Sequence, residues 1–433
     1  MIDMQMSPPI SRTIWSRSVR QFAQTEPAPT RGTADVVVVG GGFTGLTAAL
    51  HLARRGVRVT LLEGGDIAGA ASGLNAGFVV PNFAKADPAA VVARLGKPRG
   101  ERLLRMIGAG AARVFRTISE EGIDCDAEQT GWMHIAHDAS MLPVLSARVD
   151  AWRALGRPLE MLDRSAARAR SAARHCEGAL FDPEGGMLNP LTYALGLANA
   201  ARRAGAMLHQ NAMVQTIERQ GDGWRVEGQG FSVAAKQVLL CTNAGRLGAA
   251  GRLGQAVVPL KVYQIATKPL PAEVARRISP QRTPVADTRS NLFTYRLDRD
   301  NRLISGGMAV LPVGAEGRMG RMIATRLARE LALPAVPEVD AVWQGTAAMT
   351  TDFLPHVYEF GPGFWGGIGC NGRGIALTAM VGEVLADIAT GKSLEDVPVP
   401  LAKAHRVMFA PIAAVAASVA VAQAKLRDRR QGL

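Results

Sequence analysis

The stretch from Ala34 to Glu63, ADVVVVGGGFTGLTAALHLARRGVRVTLLE, constrains this chain more than any other. Val36 to Val39 form an apolar, β-branched run suited to a buried parallel strand. Gly40-Gly41-Gly42-Phe43-Thr44-Gly45 follows at once and satisfies G-x-G-x-x-G. Leu46, Ala49, Leu50 and Ala53 then recur at helical spacing. Gly56 ends that helix, and Val57 to Leu62 reads as the next strand. Gly40 allows the tight turn out of the first strand. Gly42 lacks a Cβ, so a pyrophosphate can approach the backbone, and Gly45 lets helix and strand pack closely. The helix N-terminus offers free N–H groups to phosphates. Glu63, at the end of the second strand, can accept hydrogen bonds from both ribose hydroxyls of an adenosine and would repel a 2′-phosphate. The unit therefore reads as a site for an ADP-containing dinucleotide other than NADP, without separating FAD from NAD.

A chain of 433 residues exceeds one simple core, so two domains are expected. Its 48% hydrophobic and 20% charged residues read as globular. The net charge is +13, but the arginines are scattered through helical stretches rather than gathered in a stripe, which argues against a nucleic-acid partner. Cys125, Cys176, Cys241 and Cys370 lie far apart, with no CxxC and no zinc-like spacing. No metal is expected, and the thiols read as reduced and the chain as cytoplasmic. Residues 1–33 read as an extended lead-in arm without a signal-peptide core. Met408 to Ala424 is apolar but short for a span, and residues 396–433 read as a C-terminal helix packed on the protein, with a peripheral membrane or partner-chain contact as the lesser reading.

Along the chain, the small-residue segment Gly64 to Gly77 follows the acid directly. There Ser72, Asn75, Ala76 and Gly77 suit a cofactor contact. Pro88–Gly122 and Met141–Arg174 read as helical, and Gly131–Ala136 as a strand. His134 in that strand reads as a satisfied or solvent-facing histidine rather than a catalytic one. Gly178–Leu188 reads as turn-rich, and Asn189 as the cap of a helix opening at Pro190. A hairpin is expected near Gln220–Gly223. The strand Val233–Cys241 stops on Thr242-Asn243-Ala244-Gly245, small polar residues like another edge of a nucleotide site. From Pro259 the texture becomes that of an antiparallel sheet, with strands at 257–267, 291–297 and 302–308 and a helix near 318–331.

Phe364–Ile368 and Gly369 to Ile375 form a second strand–glycine turn–helix unit. Its helix dipole could stabilise negative charge on a reduced flavin. One glycine turn for a pyrophosphate and a distant one for an isoalloxazine suits FAD.

At this point the sequence resembles the D-amino-acid-oxidase-like superfamily of flavoprotein oxidoreductases. The resemblance runs from about residue 34 to 395. It rests on GGGFTGLTAAL…LLE, GAASGLNAG, CTNAG, TDFLPH and GCNGRGIALT, the second and last looking most like the gamma-glutamylputrescine oxidase branch. It implies an α/β Rossmann-type FAD domain formed from residues 34–85, 178–255 and 343–395. It also implies an α+β substrate domain, 86–177 and 256–342, with an antiparallel sheet over the flavin. It assigns the pyrophosphate to Gly40, Gly42, Phe43, Thr44 and Gly45, the ribose to Glu63, and the ring and pyrophosphate flank to Ser72, Asn75, Ala76 and Gly77. Val214 would meet adenine, Asn243 and Ala244 the same edge, and Gly372, Arg373, Gly374 and Ile375 the pyrimidine end.

The departures are specific. Residues 345–349, GTAAM, hold no cysteine for a flavin tether, so FAD is expected to be non-covalent. Ala376 and Ile304 stand where sarcosine-oxidase relatives carry lysines. The implied reaction oxidises the C–N bond of an amine or amino acid to an imine by hydride transfer to flavin N5, with oxygen or another electron acceptor. A 2-hydroxy-acid dehydrogenase on this scaffold, or an electron-transfer subunit of a multi-chain dehydrogenase, are the other readings. Tyr263, Tyr295, Arg296 and Trp343 are the substrate-pocket candidates, and alternation puts Tyr295 and Arg296 on opposite faces.

Overall fold

A computed structural model describes residues 12–309, 314–403 and Gln423. Two large sheets organise it. The first has nine strands, and its parallel part runs in the order 364–368, 231–240, 32–39, 59–62, 207–209. Val37 pairs with Val238 on one side and Thr60 on the other, and is fully buried, as the valine run requires. The register aligns Val39 with Leu240 and Leu62, so Gly40, Glu63 and Cys241 leave the sheet along one edge. Gly369 leaves Phe364–Ile368 at that same edge, because that strand runs parallel to Phe231–Leu240. Ligands of open α/β sheets bind there, outside the carboxyl ends of the strands.

The helices Phe43–Arg54 and Gly374–Ala389 follow the two glycine turns and pack side by side. Gly382 makes this contact, since a Cβ there would stand 2.6 Å from the Thr44 carbonyl. The N-terminal turn of the first helix thereby meets the middle of the second, although more than 300 residues of chain separate the helices.

The second sheet has eight strands, in the order 339–349, 258–267, 303–307, 294–297, 285–287, 132–136, 178–182, 160–163. Helix Ala315–Glu330 covers one face with Met319, Ile323 and Leu327. The other face carries Trp132, Leu180, Ile304 and Trp343 and joins the core of the first sheet.

Several boundaries differ from the sequence reading. Gly178–Asp182, expected to be turn-rich and within the nucleotide-binding part, is a fully buried strand of the second sheet, paired with Trp132–Ala136 and Glu160–Asp163. Val339–Met349 also lies wholly in that sheet, so its part after 342 moves with it. Met141–Arg174 is not one helix: the strand Glu160–Asp163 separates Leu142–Arg153 from Arg164–Arg170. Pro88–Gly122 divides into three helices, the first ended by Gly96 at φ +75°. The lead-in arm is not simply extended. Ile14–Ser18 forms a 3₁₀ turn whose Ile14 and Trp15 are buried. Asn189 does cap Pro190–Arg203, accepting from the N–H groups of Leu191 and Thr192. Most of the expected C-terminal helix lies outside the described residues, and Leu401–Lys403 is a strand beside His356–Gly361. Among the described residues no helix is long and apolar enough to cross a membrane.

Candidate functional site

The first glycine turn is built as its sequence requires. Gly40 has φ +112°, and a Cβ there would lie 2.7 Å from the Cys241 carbonyl. At Gly45 a Cβ would fall 1.9 Å from the Gly40 carbonyl, so helix and strand touch backbone to backbone. Glu63 holds the mouth of the turn, accepting from Gly41 N–H at 2.6 Å and Gly65 N–H at 2.9 Å. Phe43 and Thr44 open the helix, and the Ser72 hydroxyl accepts from the Phe43 N–H at 3.0 Å. Asn243 takes φ +51° in the turn after Cys241, beside Gly40, and Ala244 follows it. Val214 begins the strand next to Ala212, whose N–H bonds the Glu63 carbonyl.

The second turn is equally defined. Asn371 sits at φ +48°, its side chain accepting from Thr350 N–H and Thr350 hydroxyl and donating to the Gly369 carbonyl. Gly372 and Gly374 border open space, and helix Gly374–Ala389 has no side-chain cap, so its first N–H groups are left for a ligand. Ile375 is buried in its first turn.

Three successive carbonyls, those of Leu74, Asn75 and Ala76, are each held by a distant side chain. Trp343 Nε1 donates to Leu74 O at 2.9 Å, Trp15 Nε1 to Asn75 O at 3.0 Å, and Arg296 Nε to Ala76 O at 2.6 Å. The Asn75 side chain accepts from the Gly77 N–H. Gly77, at φ +75°, has no room for a Cβ, which would stand 2.6 Å from Arg296 Nη2.

The four pocket candidates divide by face. Arg296 and Trp343 lie on the face that meets the glycine turns. Tyr263 and Tyr295 lie on the opposite face: both belong to the cluster under helix Ala315–Glu330, and Tyr295 bonds Ser171 at 2.7 Å. The expectation that placed these tyrosines in the pocket is therefore corrected. Strand alternation separates Tyr295 from Arg296, as expected, and it also turns Tyr263 away. Arg296 commits its guanidinium to Ala76 O and Leu188 O. Burial lowers its pKa to about 10, so it stays charged at neutral pH.

Sequence reasoning passed over the surroundings of the Arg373 side chain. It stacks 4.8 Å from the Trp132 ring, its Nε has no hydrogen-bond partner, and it forms no ion pair among the described residues. Burial and then Arg148 lower its pKa to about 10. His134, Arg148, Asn82 and Trp152 line the same small cavity, of about 20 Å³. Arg148 pairs with Asp87, whereas the Asn82 carbonyl oxygen is buried without a partner. Only the alternation of Trp132 and His134 in one strand hinted at this cluster.

His134 Nε2 donates to Asp287 O at 3.0 Å, and desolvation, followed by Arg373 and Arg148, lowers its pKa to about 3. An unfolded histidine titrates near 6.5, so the unfolded state binds more protons between these values. Stability is then complete above about pH 6.5 and falls with acidification by about 1.4 kcal/mol per pH unit. Melting temperatures from pH 7.5 to 4.5 should show His134→Asn losing that slope; superimposable slopes would refute it.

Among the described residues no group of His, Cys, Asp and Glu could hold a metal ion. The site fits FAD on its own chemistry. Gly42 leaves the backbone bare, the Thr242 hydroxyl beside Gly40 is buried without a partner, and the second turn presents uncapped N–H groups. Fold and site together define a dinucleotide-dependent oxidoreductase with two glycine turns at one sheet edge. The chain belongs to the FAD dependent oxidoreductase family (DAO), whose pattern matches residues 35–388. It is 29% identical over 426 residues to the gamma-glutamylputrescine oxidoreductase of Escherichia coli (strain K12), covering 96% of this chain and 97% of that one. Crystal structures of glycine oxidase from Geobacillus kaustophilus and of L-proline dehydrogenase from P. horikoshii share the fold. Their TM-scores are 0.67 and 0.71 at 23% and 19% identity, over 84% and 85% of this chain and 96% of each of theirs. The protein is thus an FAD-dependent oxidoreductase.

Proposed function

We propose that the protein oxidises the C–N bond of an amine or amino acid that carries an anionic group. The observation that carries the anionic part is the half-buried Arg373 side chain, whose Nε has no hydrogen-bond partner, beside His134 and Arg148 at the second glycine turn. Arg373 has no ion-pair partner among the described residues, the carboxylate in its cavity, Asp87, being paired with Arg148, so a substrate carboxylate would supply a partner. The amine part is supported by the relatives, among them a gamma-glutamylputrescine oxidoreductase and a glycine oxidase.

When bound, FAD would supply the oxidation by accepting a hydride, that is two electrons and one proton, at N5. The chain's own residues bind and orient. Gly40, Gly42, Phe43, Thr44 and Gly45 would hold the pyrophosphate, Glu63 the ribose, and Val214, Asn243 and Ala244 the adenosine side. Ser72, Asn75, Ala76 and Gly77 would flank the ring. Gly372, Gly374 and Ile375 would direct N–H groups at its pyrimidine end. Trp343 and the Arg296 side chain support the segment 74–76 from behind. Arg373 would orient the substrate's anionic end, while neutral His134, its Nε2–H given to Asp287 O, would offer only Nδ1 as an acceptor. The cavity has room for a water rather than a substrate, so entry requires side-chain movement. No cysteine lies in 345–349, so FAD is proposed to be held without a covalent bond.

The test is anaerobic flavin bleaching with amines, amino acids and 2-hydroxy acids, repeated in air. Reduction by carboxylate-bearing amines alone is expected. Bleaching only by hydroxy acids, or by no small molecule, would overturn the reading. Acid precipitation should release the flavin into the supernatant.

A further inference from the structure

We propose that the N-terminal arm is part of the cofactor site, and that Trp15 is the residue positioning the segment Leu74–Gly77. The family pattern begins at residue 35, so nothing in it concerns this arm. Yet Trp15 is only 3% exposed and stands at the centre of the three-carbonyl clasp. Its ring packs edge-on to Trp343 at 5.7 Å, and the Arg296 guanidinium lies over it at 5.0 Å. Its indole N–H holds Asn75 O, the middle of three consecutive carbonyls, while Trp343 and Arg296 hold the outer two. Its own carbonyl accepts from Asn189 Nδ2, the side chain that caps helix Pro190–Arg203. Two residues on, Arg17 pairs with Asp340 of the second sheet at 2.5 Å.

The physical consequence is local. Ala71–Leu74 is a single helical turn, and the carbonyls of Leu74, Asn75 and Ala76 at its end have no backbone partner. Satisfying three in succession with stacked, buried side chains leaves the segment one conformation. Asn75 then fixes Gly77 from inside through its Oδ1. Trp15 is the one member of the clasp that belongs to neither large sheet. A cofactor flanked by 72–77 meets a preorganised wall with Trp15 in place and a mobile one without it.

The inference rests on the FAD assignment and not on the substrate, so its failure would leave the amine reading untouched. The test is the Kd for FAD, measured by reconstituting apoprotein, together with the visible flavin spectrum and the melting temperature of each apoprotein. Trp15→Phe keeps the ring but loses the N–H to Asn75 O, and Trp15→Ala loses both. The Kd is expected to rise about tenfold for phenylalanine and about a hundredfold for alanine, with a shifted flavin band. Arg20→Ala, which removes an exposed pair with Asp124 on the same arm, should leave the Kd unchanged. A lower melting temperature with unchanged Kd and spectrum in both Trp15 variants would overturn the proposal, as would an equal rise in Arg20→Ala. If Trp15→Ala does not fold, Trp15→Phe alone decides.

Discussion

Arg373→Met should raise KM for a carboxylate-bearing amine about a hundredfold while changing kcat little. Methionine keeps an apolar side chain to lie over Trp132 but removes the charge, and a charge-assisted hydrogen bond lost to an enclosed ligand costs about 3 kcal/mol. Losing an interaction made equally in ground and transition states shows in KM rather than in kcat. Removal also relieves repulsion, because Arg373 and Arg148 share one small cavity. The free protein should therefore be no less stable, and its melting temperature should hold or rise. An uncharged amine should be turned over equally by both forms. A uniform loss across charged and uncharged amines would mean that Arg373 serves the flavin or the fold instead, and steady-state kinetics with a matched substrate pair separates the cases.

Gly45→Ala and Gly42→Ala, three residues apart in one motif, should fail in different ways. At Gly45 the added carbon would meet the Gly40 carbonyl at 1.9 Å, an overlap that only separation of helix Phe43–Arg54 from its strand can relieve. That interface is the centre of the first core, so Gly45→Ala should cost about 3 kcal/mol or more and yield little folded protein. At Gly42 the added carbon meets the Ser72 hydroxyl at 2.8 Å. A serine side chain can rotate away, so the apoprotein should melt within a few degrees of wild type. The same carbon fills the space a pyrophosphate needs, and FAD affinity should fall about a hundredfold. Thermal melts of both apoproteins beside FAD titrations check the pair. If Gly42→Ala binds FAD normally, the first turn does not hold the pyrophosphate.

How much was legible follows from how local each cause is. The unit from Val36 to Glu63 was readable because strand, turn and helix are each set by neighbouring residues. A buried β-branched run, a turn that tolerates no Cβ and a helix with one apolar stripe need no distant partner to be recognised. Asn189 before Pro190, and the strand–turn–helix at 364–375, were readable for the same reason. Gly178–Asp182 was not. Its turn residues dominate the composition nearby, and only pairing with Trp132–Ala136 makes it a strand. The break within 141–174 was hidden likewise, because Glu160–Asp163 is a strand only through Gly178–Asp182. Alternation predicted that Tyr295 and Arg296 would part, but period two cannot say which face looks toward the glycine turns. Helix Ala315–Glu330, packed on the far face, decided that and took both tyrosines with it.

The sequence alone therefore determined the nucleotide-binding edge and, through its second glycine turn, the choice of FAD. Both rest on backbone geometry that glycine permits within a few residues. Only the tertiary structure packed the two helices together through Gly382, put both turns at one sheet edge, and gave Arg373 its companions His134 and Arg148. It alone brought Trp15, Arg296 and Trp343 to three consecutive carbonyls. These contacts join segments far apart in the chain. No local pattern records them, because their energy comes from packing and hydrogen bonds that form once both sheets are in place.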